Sequence, residues 1–205
     1  MDEMLTVADV QNKLYETLAK AINFKYIKSS KCLKKTLKDL VFEIDFYSSK
    51  WNESGVSVEI NAGFRLSYKP YGELPVDNVI ASIMYRPEDG QWYDITTEEK
   101  LKHTYVELEE RFKTTVVDLY NRFEGDYKSA VEFMFYKVFD EYNVQLDFIV
   151  DNLGDEAVSD KAENIYAALS EEMKQQVVEY KNGAKNKAWM LNRGNLKYII
   201  DKGFV

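Results

Sequence analysis

From Thr6 onward, apolar residues fall at Val7, Val10, Leu14, Leu18 and Ile22. Steps of three and four gather them on one stripe of an α-helix, and Thr6 followed by Asp9 has the spacing of a reciprocal N-terminal cap. Phe24 to Ile27 reads as a short strand, and the lysine-rich run on to Lys38 as a solvated connection, with a patch for a phosphate or an acidic partner as the alternative. From Phe42 the period becomes two. Phe42, Ile44 and Phe46 share one face of a strand; Val56, Val58, Ile60, Ala62, Phe64 and Leu66 share one face of the next. The two form a hairpin, with Lys50 expected opposite Val56 across a five-residue loop, because that register keeps both apolar rows on one side. Val79 to Tyr85 is apolar on both faces, which predicts a strand placed more centrally than the hairpin's edge. Pro87-Glu88-Asp89-Gly90 is a turn signal, and Gln91 to Ile95 is a last short strand.

Beyond Thr96 the period is helical. Leu101, Tyr105, Leu108, Phe112, Val116, Leu119 and Phe123 predict one long helix ending at Gly125, capped within Thr96-Thr97-Glu98-Glu99. Tyr127 to Tyr142 predicts a second helix that bends near Asn143. Helical pattern resumes from Ser159, restarts at Ser170, stops at Gly183, and returns from Trp189 to Ile200. The fold class is therefore α+β: an N-terminal helix on an antiparallel four- to five-stranded sheet in residues 1–96, and a helical region in 97–205 packed on the sheet as one unit.

A chain of 205 residues buries roughly 70% of its unfolded surface. The net charge of −8 is unevenly spread: residues 1–86 hold 12 basic and 11 acidic side chains, residues 87–180 hold 9 and 23, and residues 181–205 hold 6 and 1. An acidic middle repels phosphate backbones, so no nucleic-acid partner is expected. No run reaches the length and apolarity of a bilayer span, and Met1-Asp2-Glu3-Met4 is acidic where a secretory leader is basic. With Cys32 as the single cysteine, the expectation is a cytoplasmic protein in a reducing compartment, without a membrane partner.

The candidate chemistry lies on the hairpin. Glu43, Asp45, Tyr47, Glu59, Asn61 and Arg65 fall on its polar face, with Asp45 expected opposite Asn61, Tyr47 opposite Glu59, and Glu43 near Gly63 and diagonal to Arg65. Such carboxylates can hold a metal or share acid and base roles; equally, the row is the wet side of an antiparallel sheet with Arg65 offsetting its charge. The restriction-nuclease arrangement, a lysine two residues beyond an acid, is missing, since Tyr47 follows Asp45 and Asn61 follows Glu59. Trp51 and Asn52 at the hairpin turn, and Trp92 and Tyr93 at a later one, are candidate partner contacts, because exposed aromatics mark interfaces; Trp51 folded back over the sheet is the structural alternative. His103 is the sole histidine and reads as a helix-surface residue, and Cys32 as a small buried filler despite Lys31, Lys34 and Lys35 nearby. Phosphate-loop and Gly-x-Ser-x-Gly signatures are absent, and no cofactor is implied.

In order, an amphipathic helix ending in Asn23-Phe24-Lys25, a strand entering Ser48-Ser49-Lys50-Trp51-Asn52, and a strand with Asn61 in its interior resemble a mainly bacterial family catalogued as domain of unknown function 4304. The resemblance covers roughly residues 5 to 115, and Tyr47 stands where many members carry Gln. It implies an α+β fold and carries over no catalytic residue. The leading expectation is a non-enzymatic binding or interaction module of the immunity or regulatory kind with a protein partner; the alternative is a metal-dependent hydrolase using Glu43, Asp45 and Glu59.

Overall fold

Thr6 caps the first helix as its spacing requires. Its hydroxyl accepts from Asp9 N at 3.2 Å while Asp9 Oδ2 accepts from Thr6 N at 3.0 Å, and α1 runs Val7–Ile22. The structure is a computed structural model describing residues 6–70, 78–140, 143–184 and 195–205. It divides into two compact units, Met1–Gly125 and Asp126–Val205, so the boundary falls after the helical segment that follows the sheet, and not near residue 96.

In the first unit the sheet has the order β1-β2-β3-β4-β5, antiparallel throughout, with β6 pairing beside β4. Its strands are β1 Lys25–Ile27, β2 Cys32–Leu37, β3 Leu40–Ser48, β4 Glu59–Tyr68, β5 Val79–Tyr85 and β6 Tyr93–Asp94. The lysine-rich run is thus largely a strand. Leu33 and Lys35 point to the core face with Ile44 and Phe42 opposite them, and Lys35 Nζ lies 4.0 Å from the Tyr120 ring centre. An ammonium over an aromatic face is a stable way to bring lysine to an apolar side, which is why the composition of this stretch hid its period.

The β3–β4 register is two residues from that expected: Glu43 pairs with Arg65, Asp45 with Gly63 and Tyr47 with Asn61. Slipping by two preserves the faces, so Phe42, Ile44, Phe46, Ile60, Ala62, Phe64 and Leu66 are all buried together. The loop is longer than expected because residues 49–58 form a closed turn with its own bridge between Glu53 and Ser57. The position of β5 differs too. It is an edge strand, with β3 and β4 central.

Tyr15 of α1 stacks on Phe46 at 3.9 Å, and Phe42 meets Phe64, Tyr120 and Phe123 at 5.2 to 6.1 Å. The long helix is divided: α2 Glu98–Phe112, a π-helical turn Lys113–Val117, and α3 Asp118–Gly125. Thr114 Oγ1 donates to Glu110 O at 2.9 Å and Thr115 Oγ1 to Arg111 O, the back-bonding by which such residues loosen a helix.

The second unit is helical: α4 Tyr127–Phe133 running into a π-helical turn Met134–Val138, α5 Leu146–Leu153, α6 Glu156–Ala167, α7 Glu171–Lys181 and α8 Leu196–Asp201. The restart at Ser170 is real, its side chain accepting from Met173 N at 3.2 Å. Tyr142 and the start of the expected last helix at Trp189 lie outside the described residues, and α5 had no expectation.

The Tyr15 hydroxyl is fully buried and makes no hydrogen bond. An unpaired buried hydroxyl costs about 1–3 kcal/mol. Tyr15→Phe keeps the ring stack and is expected to stabilise by about 1 kcal/mol in urea unfolding, whereas Tyr15→Ala is expected to lose about 3–5 kcal/mol.

Candidate functional site

The face of the sheet opposite α1 carries the predicted polar row, and cross-strand pairing decides what that row does. Asp45 accepts a two-point bond from Arg65, Nε to Oδ2 at 2.6 Å and Nη2 to Oδ1 at 3.1 Å. Lys34 of β2 donates to Glu43 at 2.9 Å, and Arg65 Nη2 lies 3.9 Å from the other Glu43 oxygen. The sequence is a chain of alternating charge, Lys34–Glu43–Arg65–Asp45, across three strands. The carboxylate hydrogen bond raises the pKa of Arg65 against the opposing effect of burial. Tyr47, alongside, has its phenol pushed up by burial first and by Asp45 second.

Glu59 stands apart. Asp45 pairs with Gly63, four residues along β4 from Glu59, which at 3.3–3.4 Å per residue is a separation of about 13 Å. Two of the three acids are therefore neutralised by cations and the third is remote from them; among the described residues no group of three acids, histidines or cysteines is placed to hold a metal ion. The expected pairing of Tyr47 with Glu59, which would have drawn the acids together, is replaced by Tyr47 with Asn61. Asn61 is buried, and its Oδ1 makes no hydrogen bond.

Asn52 is the keystone of the turn. Its Nδ2 donates to Glu59 O at 2.9 Å and to Ser48 Oγ at 3.0 Å, and its Oδ1 accepts from Glu59 N at 2.7 Å. Ser49 N also donates to Glu59 O, at 3.1 Å, so the side-chain amide adds to that backbone bond and takes up the Glu59 N–H at the start of β4. Gln11 of α1 donates to the same Ser48 hydroxyl at 2.8 Å, tying helix to turn. Held by this frame, Trp51 projects with 77% of its surface exposed, and Lys50 Nζ lies over its ring, 4.9 Å from the indole centre. It does not fold back over the sheet.

The second aromatic pair separates. Trp92 is 38% exposed, but Tyr93 is buried, its hydroxyl donating to Glu107 at 3.2 Å and accepting from Arg111 at 3.1 Å. Tyr93 therefore fastens β6 to α2 and is no surface contact, and Asn52 likewise acts inside the turn. Sequence reasoning missed Met84, which is 46% exposed on the same face as Tyr47 at 42%. Between them a side chain at Gly63 would meet Tyr47 Cε2 at 3.2 Å and Met84 Cε at 3.5 Å, so the small residue lets the two close over the strand. A strand apolar on both faces gave no hint of which side chain lies open.

Cys32 is buried with Sγ 3.2 Å from Ser30 Oγ, and burial pushes its thiol pKa up. His103 is exposed, on an open groove of about 800 Å³ shared with Glu88, Asp89, Glu99, Glu107 and Arg111. No helix among the described residues is long and apolar enough to cross a membrane. No family model, curated protein or solved structure matches the chain.

The charge ladder and the turn clamp set an order of sensitivities. Asp45→Asn leaves Arg65 without its carboxylate and is expected to lose about 1–2 kcal/mol, and Asn52→Ala about 1–3 kcal/mol; Glu59→Gln is expected to stay within about 0.5 kcal/mol. Denaturant titrations of the three variants check this order.

Proposed function

We propose that this chain is a non-enzymatic protein-binding module of the immunity or regulatory kind, acting in the cytoplasm, and that Trp51 is the anchor of its contact surface. The observation that carries this reading is an indole 77% exposed at the tip of a turn braced by three side-chain bonds from Asn52. Exposed tryptophan on a rigid support loses little entropy when a partner covers it, and tryptophan is over-represented among residues that dominate binding energy. Lys50, lying against the indole, adds a cation at the rim. Tyr47, Met84 and the half-exposed Trp92 offer further apolar area on the first unit.

Membership in the family of domain of unknown function 4304 belongs to the same proposal; the strand entering Ser48-Ser49-Lys50-Trp51-Asn52 and the interior Asn61 support it. Nothing in the geometry favours the metal-hydrolase alternative, because Glu43 and Asp45 already answer Lys34 and Arg65.

Affinity capture from cells that make the protein, followed by direct titration of the purified partner, tests the reading. Trp51→Ala is expected to weaken binding by about 2 kcal/mol, roughly thirtyfold, with its unfolding midpoint unchanged. Equal affinity of wild type and variant would remove Trp51 from the contact, and calorimetric heat on adding magnesium, manganese or calcium would bring the hydrolase reading forward.

A further inference from the structure

The outer edge of β5 is an anomaly of composition. Val79-Ile80-Ala81-Ser82-Ile83-Met84-Tyr85 contains no charge and no proline, the make-up of a strand with neighbours on both sides, yet it pairs only with β4. The opposite edge is guarded in the ordinary way: β1 is three residues long and begins with Lys25. Exposed edges are usually blunted by lysine, proline, shortness or a bulge. Here the one such device is the register irregularity near the start of β5; Ala81 to Tyr85 then pair without interruption with Leu66 to Ala62.

Which backbone groups face outward follows from the ladder. Tyr68 N donates to Asn78 O at 2.8 Å, so alternate residues of β4 counted from Tyr68, namely Leu66, Phe64 and Ala62, turn their amides toward β5. Their partners Ala81, Ile83 and Tyr85 turn inward, and Ser82 and Met84 turn their N–H and C=O outward. Among the described residues no backbone hydrogen bond reaches those outward groups.

We infer that β5 is an interface between two copies of this chain, paired antiparallel edge to edge about a two-fold axis at Ile83. Ser82 then exchanges both backbone bonds with Met84 of the second copy, Met84 does the same with Ser82 of the second copy, and the two Ile83 side chains meet. The segment is its own complement: four backbone bonds form, and the absence of charge puts no like charges in register. The half-buried Ile83 and the exposed Met84 gain cover. The net charge of −8 does not oppose the contact strongly, since residues 1–86 are nearly balanced, with 12 basic and 11 acidic side chains. Pairing of five residues buries less than the about 1,200 Å² of a standard interface, so the dimer is a transient one that forms with rising concentration. The pairing uses the edge and leaves the anchor Trp51 free; it shares only Met84 with the contact area proposed above and does not rest on that reading.

Sedimentation velocity of the full chain from low micromolar to near-millimolar concentration is expected to show mass rising from 24.0 kDa toward twice that value. Met84→Pro removes one outward N–H and spares the β4 ladder, as proline is tolerated where an edge amide faces solvent; it is expected to stay monomeric, while Met84→Ala, which keeps the amide, still dimerises. Residue-resolved hydrogen exchange of the wild type needs no variant: the Ser82 and Met84 amides are expected to slow at least about tenfold between dilute and concentrated samples, against steady protection at Ala81, Ile83 and Tyr85. A chain monomeric throughout, a dimer whose Ser82 and Met84 amides exchange at the dilute rate, or a folded Met84→Pro protein that dimerises like wild type would each overturn the inference.

Discussion

Antiparallel pairing of β3 with β4 sets Phe42, Ile44 and Phe46 beside Leu66, Phe64 and Ala62, and on that wall of rings α1 and the α2–α3 segment are laid. Phe42 alone touches Phe64 in the sheet and Tyr120 and Phe123 in the helix above it. Each aromatic side chain buried this way removes some 150–250 Å² from water, so the register of one hairpin decides where every element of the first unit finds its apolar contact. A slip by one residue would turn the wall to solvent.

The same pleat governs the other face. Residues between the buried ones must point away from α1, and there the chain meets a condition of electrostatics instead of packing: acids at Glu43 and Asp45 lie beside one another on one strand, and Arg65 and Lys34 on the flanking strands answer them. Cations set across strands turn a row of like charges into an alternating array. A surface that began as a candidate for metal chemistry is by this arrangement a neutral platform, with its apolar exposure concentrated at Tyr47, Met84 and the turn carrying Trp51.

Much of this was legible in the order of residues. The capped first helix, the apolar rows of the hairpin, the α+β class, and the restart at Ser170 all follow from spacing alone, because each depends on contacts a few residues apart or on a period that repeats. What was hidden depended on partners far along the chain. Lys34 and Lys35 look solvated until Glu43 and Tyr120 are brought to them. The two-residue difference in register goes with the longer turn, in which the Asn52 amide bonds both backbone groups of Glu59 from seven residues away. Tyr93, next to Trp92, differs from it in exposure only because Glu107 and Arg111 of α2 stand where its hydroxyl arrives.

The π-helical turn at Lys113–Val117 shows how a regular-looking stripe can conceal a correction. Leu108, Phe112 and Val116 are separated by two successive steps of four, which in a helix of 3.6 residues per turn overshoot the stripe by about 80°. The wider turn absorbs that surplus, so Phe112 reaches Tyr85 and Phe46 while Tyr120 and Phe123 still come down on Phe42. In effect the segment carries one residue more than a straight rod of the same span needs. The fold thereby keeps a vernier in its longest rod, a point where chain length is traded for phase.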